Sequence, residues 1–216
     1  MLLRDVHARV AILPDPLPRP PAALRAVLLA RSGGDGSRLP PEPRAWRDAA
    51  VLVLLYPGVA GEATVLLTER PVGDLRHPGQ ISCPGGAVEP ADASPEDAAL
   101  REAAEEVGLD AAAAGVALCG RLETIDVFVS GFRITPIVAV AERTPILRPD
   151  PREVASLVEA PLSAFLPDAP IEVVERESDG RTLRYGGYRV GGFHVWGATA
   201  HILGQLGAVV GPARGR

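Results

Sequence analysis

Two near-continuous apolar runs, Ala49 to Tyr56 and Ala63 to Thr68, constrain the fold most tightly. Both have strand length, are rich in Val and Leu, and lack the alternation of a sheet with one wet face, so they read as largely buried strands. Pro57 to Glu62 supplies the turn that pairs them. Further strands are expected at Val116–Thr124, Phe132–Ala141 and Glu153–Glu159, a hairpin at Ile171–Arg176 and Leu183–Val190 around Ser178-Asp179-Gly180, and a last strand and helix from Phe193 to Leu206. Strands before, between and after helices, without strict alternation, give an α/β (α+β) fold: a mixed sheet sandwiched by helices.

The best-marked helix runs from Pro95 to Val107. Ser94 is its N-cap, Pro95 takes the first helical position, Asp97 completes an approximate capping box, and Gly108 stops it. Glu102, Glu105 and Glu106 stand three and four residues apart, which places three carboxylates on one face, with Leu100, Ala103, Ala104 and Val107 expected on the docking side. Like charges at that spacing cost a few tenths of a kcal/mol per pair, and Arg101 is the one nearby cation. A solvated acidic face is the bland reading. The preceding Pro84-Gly85-Gly86, after a strand-like Gln80 to Cys83, lets backbone approach a phosphate or metal closely, and hard divalent cations between the carboxylates would offset their repulsion.

Upstream, five prolines between positions 14 and 21 exclude helix interior, Ala22 to Arg31 reads as a short helix, and Ser32 to Trp46 as a connector. The expected organisation is an N-terminal segment over 1–46, a main folded domain over 47–206, and a fraying tail over 207–216. The formal net charge of −5 gives no basic field for nucleic acid, so a phosphate ligand must meet local arginines or bridging cations. All 22 basic residues are arginine, which carries no functional weight here. Cys83 and Cys119 lack metal-type spacing and read as reduced thiols. Charges among the first 13 residues argue against a signal peptide, and no segment suits a membrane span, so the cytoplasm is the expected compartment.

Residues 85–109, GGAVEPADASPEDAALREAAEEVGL, resemble the Nudix box, G-x5-E-x7-R-E-U-x-E-E-x-G-U. The second half fits throughout. In the first half Asp92 holds the early glutamate position, and eight residues rather than seven separate it from Arg101. Leu66 to Gly86, LLTERPVGDLRHPGQISCPGG, is similar to the signature before the box in the coenzyme A pyrophosphatase branch, LLTxRSxxLRxHxGQ followed by FPGG. Leu66, Leu67, Thr68, Arg70, His77, Gly79, Gln80 and Pro84-Gly85-Gly86 fit it. Pro71, Asp74-Leu75 and Cys83 depart, with Arg76 standing near the displaced arginine. EVASLVEAPL (153–162) and VWGATAHIL (195–203) are similar to later segments of that branch, so the likeness spans 49–206.

The resemblance implies a Nudix-type α/β/α sandwich and a hydrolase of coenzyme A or its thioesters, using Mg²⁺ or Mn²⁺ and yielding 3′,5′-ADP and 4′-phosphopantetheine. Glu102 and Glu106 are the implied principal metal ligands, Glu105 a ligand or base, and the Gly86 carbonyl a further ligand. Arg101 is expected to orient a box carboxylate, in preference to touching substrate. Arg70, His77 and Gln80 are candidates for phosphate or adenine contact, with Gly85 and Gly86 beside them; His77 reads equally as a satisfied loop histidine, and Arg70 also as a surface charge. Asp92 reads as a turn former more than a ligand, Trp196 as a core anchor more than a stacking platform, and Cys83 as a small buried residue. Asp126 and Glu175 are alternative bases. The partner is a small nucleotide, with no nucleic acid or membrane, and a homodimer is compatible. Competing functions are hydrolysis of ADP-ribose, NADH or a dinucleoside polyphosphate, and a Nudix fold kept as a non-catalytic binding module.

Overall fold

The computed structural model describes residues 1–25, 27–29, 45–72, 79–128, 130–178 and 181–211. In chain order the elements are α1 (Leu3–Val10), β1 (Val27–Leu29), β2 (Arg47–Pro57), β3 (Ala63–Glu69), β4 (Ile81–Ser82), β5 (Gly85–Ala87), α2 (Pro95–Val107), α3 (Ala111–Ala114), β6 (Val116–Arg121), β7 (Ile125–Val127), β8 (Phe132–Ala141), β9 (Ser156–Pro161), β10 (Glu172–Ser178), β11 (Arg181–Val190), β12 (Phe193–Trp196) and α4 (Gly197–Val210).

The larger sheet has eight strands in the order β4-β3-β2-β8-β6, with β5 on β2, β7 on β8 and β9 on β3. Its centre is the parallel pair of β2 and β8, and the remaining pairs are antiparallel, so the sheet is mixed as the sequence indicated. The apolar run of β2 is explained by burial on both faces. Leu52, Leu54 and Tyr56 pack with Leu66, Ile137 and Ala139 against Ala98, Ala99, Ala103 and Val107 of α2. Val53 and Leu55 pack on the opposite face with Val65, Leu67, Val138, Val140, and with Leu203, Leu206 and Val210 of α4. Alternate side chains thus fill two cores, and helices cover both faces.

Several features differ from the sequence reading or add to it. The stretch from Ala22 is a single 3₁₀ turn, Ala22–Leu24, followed by β1, where a helix to Arg31 was expected; residues 30–44 lie outside the described ones. Isolated propensity favoured helix there, but pairing with β11 supplies the backbone partners. The hairpin of β10 and β11 joins β1 and β12 in a separate four-stranded sheet. The first residues form a helix, α1, whose Leu3, Val6 and Val10 enter the core, and Arg9 donates to the carbonyls of Val210 and Gly211 at the end of α4. The tail begins later than expected, because α4 continues to Val210, with Leu206 and Val210 fully buried. Among the described residues no helix is long and apolar enough to cross a membrane.

Candidate active site

The start of α2 is built as its sequence indicates. Ser94 Oγ accepts the Asp97 N–H at 3.2 Å, Pro95 follows it, and Gly108 closes the helix at φ 65. The next loop straps the helix end down: the Arg148 N–H donates to the Val107 carbonyl at 2.7 Å and the Asp150 N–H to that of Glu106 at 2.8 Å. Buried Ala98, Ala99, Ala103 and Val107 make the docking face, while Ala104 is exposed, contrary to expectation. The buried face is turned about the helix axis from Leu100 and Ala104 toward Ala98, Ala99 and Glu106.

That rotation separates the three glutamates. Glu106 is carried under the glycine strand and is 7% exposed, Glu102 is half-buried, and Glu105 is exposed. The Gly85 N–H donates to Glu106 Oε2 at 3.1 Å. At Gly86 a Cβ would lie 2.4 Å from Glu102 Oε1 and 2.6 Å from Oε2, so the missing side chain is what lets that carboxylate rest on the backbone of β5. Gly85, at φ +153, lies against β2, where a Cβ would come 2.3 Å from the Ala50 carbonyl oxygen.

The electrostatics mark this corner. Burial raises the Glu106 carboxyl to about 7; the Gly85 N–H and the Arg70 charge oppose the shift, and Glu102 and Glu153 add to it. Burial also raises Glu102, against the pull of Arg101, with Glu105 and Glu153 pushing further. Cys83, buried beside Glu106, has its thiol pushed up to about 12 by burial and then by that carboxylate, which leaves it an inert core residue.

Arg101 spends all five guanidinium donors inside the protein. Its Nε and one terminal nitrogen reach the two oxygens of Asp92 at 3.0 and 3.1 Å, that nitrogen also reaches the Ala87 carbonyl at 3.1 Å, and the other reaches Glu102 at 3.1 Å and Glu105 at 3.2 Å. It ties β5, the loop and two box carboxylates together. Asp92 is also a turn former, accepting the Glu89 N–H at 2.8 Å.

Of the other residues singled out in the sequence, Arg70 and Gln80 are partly buried and joined through the Arg70 N–H and the Gln80 carbonyl at 3.1 Å. His77 lies outside the described residues, as does Arg76. Asp126 is held in a two-bond pair by Arg133 at 2.9 and 3.2 Å, and Glu175 lies on β10 of the smaller sheet, so neither joins the box carboxylates. Glu153, exposed on the loop before β9, adds its negative charge to the field at Glu102 and Glu106. It was concealed in sequence as the start of a strand; in the structure it precedes β9, on the loop that straps α2, and nothing local links it to a helix so distant in the chain.

These groups suit a hard divalent cation. Their donors are carboxylate oxygens, one largely buried, and Arg70 is the cation that bears on it. Among the described residues no three His, Cys, Asp or Glu side chains form a ready cage.

Comparison with known proteins identifies the family. The model of the NUDIX domain matches residues 46–177. The chain is 37% identical over 172 residues to a protein of Enterobacter sp. (strain 638) named "Uncharacterized Nudix hydrolase NudL", covering 76% of this chain and 83% of that one. It is 35% identical over 173 residues to "Nudix hydrolase 15, mitochondrial" of Arabidopsis thaliana, covering 76% of this chain and 58% of the plant protein. A solved structure of a Nudix hydrolase from M. smegmatis, RenU, aligns with a TM-score of 0.46 at 24% identity, covering 63% of this chain and 80% of that one. The chain belongs to the Nudix family.

Proposed function

We propose that this protein is a divalent-metal-dependent pyrophosphohydrolase that cleaves the diphosphate of coenzyme A or its thioesters, releasing 3′,5′-ADP and 4′-phosphopantetheine or its acyl derivative. The observation that supports the reaction class is the pairing of two α2 carboxylates with the glycine strand: Glu106 is buried and held by the Gly85 N–H, and the Glu102 carboxylate rests against Gly86. The substrate rests on the resemblance of Leu66 to Gly86 to the coenzyme A pyrophosphatase signature.

Glu102 and Glu106 would hold the cation, Mg²⁺ or Mn²⁺, with the Gly86 carbonyl beside them. Once bound, it would supply charge neutralisation at the diphosphate oxygens and acidify a water. The protein's own groups do the rest. Arg101 fixes Glu102 and β5 so that the carboxylate needs little reorganisation during reaction. Glu105 and Glu153, both exposed, the latter on a loop fastened to the end of α2, are the candidates to accept a proton from the attacking water. Arg70, with no acidic pair among the described contacts, is free to meet a phosphate oxygen.

The test is identification of products from coenzyme A, acetyl-coenzyme A, ADP-ribose, NADH and diadenosine tetraphosphate with Mg²⁺ or Mn²⁺. The proposal expects 3′,5′-ADP from the first pair at the highest kcat/KM. Intact coenzyme A beside cleaved ADP-ribose would remove the substrate assignment and leave the reaction class standing.

A further inference from the structure

We propose that Trp196 is the platform on which the heterocyclic base of the substrate stacks, with the Gln80 amide at the base's edge; this rests on the reading of the Glu106 corner as a nucleotide diphosphate site. β12 carries His194 and Trp196 on one face, paired with Arg189 and Gly187 of β11, and Tyr185 lies two residues before Gly187 on the same face of β11. The Trp196 ring packs on Tyr185 at 4.9 Å between centroids with a 34° tilt, and Tyr185 stacks in turn on His194 at 6.3 Å and 29°. Tyr185 is buried, whereas Trp196 stays only half-buried. An indole supported from behind by a buried ring is held rigidly and keeps a face for a planar ligand.

Its position joins it to the acidic corner. A Cβ on Gly197, the next residue, would lie 3.9 Å from Gln80 Nε2. Thr199 Oγ1 donates to the Ile81 carbonyl at 3.1 Å, fixing the start of α4 on β4. Gln80 holds Arg70 through its carbonyl, and the Arg70 charge reaches Glu106. From carboxylates to indole the order is therefore Glu106, Arg70, Gln80, Gly197, Trp196. A nucleoside diphosphate laid with its phosphates at Arg70 brings its base toward the indole. A primary amide offers both donor and acceptor, as the edge of a base requires, and stacking on the ring needs a planar π system that a pantetheine arm lacks.

The second tryptophan is a poorer platform. Trp46 meets Phe128 edge to face at 5.2 Å, and the Arg133 guanidinium sits 5.5 Å over its ring, where Asp126 holds it. With two tryptophans in the chain, Trp46→Phe leaves Trp196 as the sole indole reporter.

The experiment titrates the Trp46→Phe protein with 3′,5′-ADP, which has no phosphoanhydride to cleave, and follows tryptophan emission. Saturable quenching is expected, with none from ribose 5-phosphate. Trp196→Leu, checked for folding by circular dichroism, should weaken 3′,5′-ADP binding and raise KM by about 10–100-fold with kcat within a few-fold. Gln80→Leu should weaken binding while keeping the quench at saturation. Absence of quenching in Trp46→Phe while that variant still hydrolyses coenzyme A overturns the platform and spares the hydrolase reading. Quenching without hydrolysis of any diphosphate supports the platform and removes the hydrolase reading. Quenching by 4′-phosphopantetheine but not 3′,5′-ADP overturns the proposal in favour of the pantetheine arm.

Discussion

Alanine at the two adjacent box glycines should do opposite things. At Gly86 the backbone is outside the left-handed region, and an added Cβ would meet the Glu102 carboxylate at 2.4–2.6 Å, the far end of a flexible side chain. Restoring ordinary contact near 3.5 Å moves that carboxylate by about 1 Å, while stiffening the unfolded chain by about 0.4–1 kcal/mol offsets any packing cost. Gly86→Ala should therefore keep its thermal midpoint within a few degrees and lose about 100-fold in kcat, the penalty typical of a 1 Å misplacement. At Gly85 the Cβ would meet the Ala50 carbonyl at 2.3 Å and the Val51 Cα at 2.6 Å, with φ at +153. Backbone cannot swing aside, so overpacking and strain add to about 4 kcal/mol and lower the midpoint by roughly 8–16 °C. The assay pairs thermal unfolding in chelator with kcat for coenzyme A at saturating Mg²⁺. A fully active Gly86→Ala protein would refute the reasoning, because Glu102 would not work from its place on β5.

Other substitutions probe single links. The Glu106 carboxyl, raised from 4.5 to about 7 in the fold, contributes stability that is complete below about pH 4.5 and lost as pH rises through 7, about 3 kcal/mol in all. With divalent ions chelated, Glu106→Gln should remove that loss, so urea unfolding should find the variant more stable than wild type at pH 8 and the gap closing at pH 4.5; equal stability at pH 8 would contradict the burial cost. Arg101→Lys cannot reproduce the forked bonds to Asp92, Glu102 and Ala87, and should lower kcat at least about 10-fold with the fold intact by circular dichroism. Tyr56→Phe removes the 2.6 Å bond to Glu159 from a side chain 1% exposed, and should cost about 1 kcal/mol in urea unfolding with kcat unchanged.

The double-sided burial of β2 and β3 and the caps of α2 were legible because each depends on short-range pattern. Phe132–Ala141 matched residue for residue because its apolar run is bounded by Gly131 and the charged pair Glu142-Arg143. What escaped depends on partners distant in the chain. β1 is a strand because β11 lies beside it, α1 is stable because α4 covers its apolar face, and the charge of Glu153 bears on Glu102 and Glu106 because the loop before β9 is tied to α2. The three glutamates share a helical face in projection, yet packing of Ala98 and Ala99 turns that face until Glu106 is buried and Glu105 is not. Periodicity fixes which side chains neighbour one another, and only packing fixes which of them meets water.

The most direct measurement is Mn²⁺ binding followed by electron paramagnetic resonance in wild type and in the Glu102→Gln/Glu106→Gln protein. Loss of the free-ion signal on addition of wild type, largely restored with the double variant, is the predicted result. Equal binding by the two proteins would contradict a cation held between the α2 carboxylates and the β5 glycines.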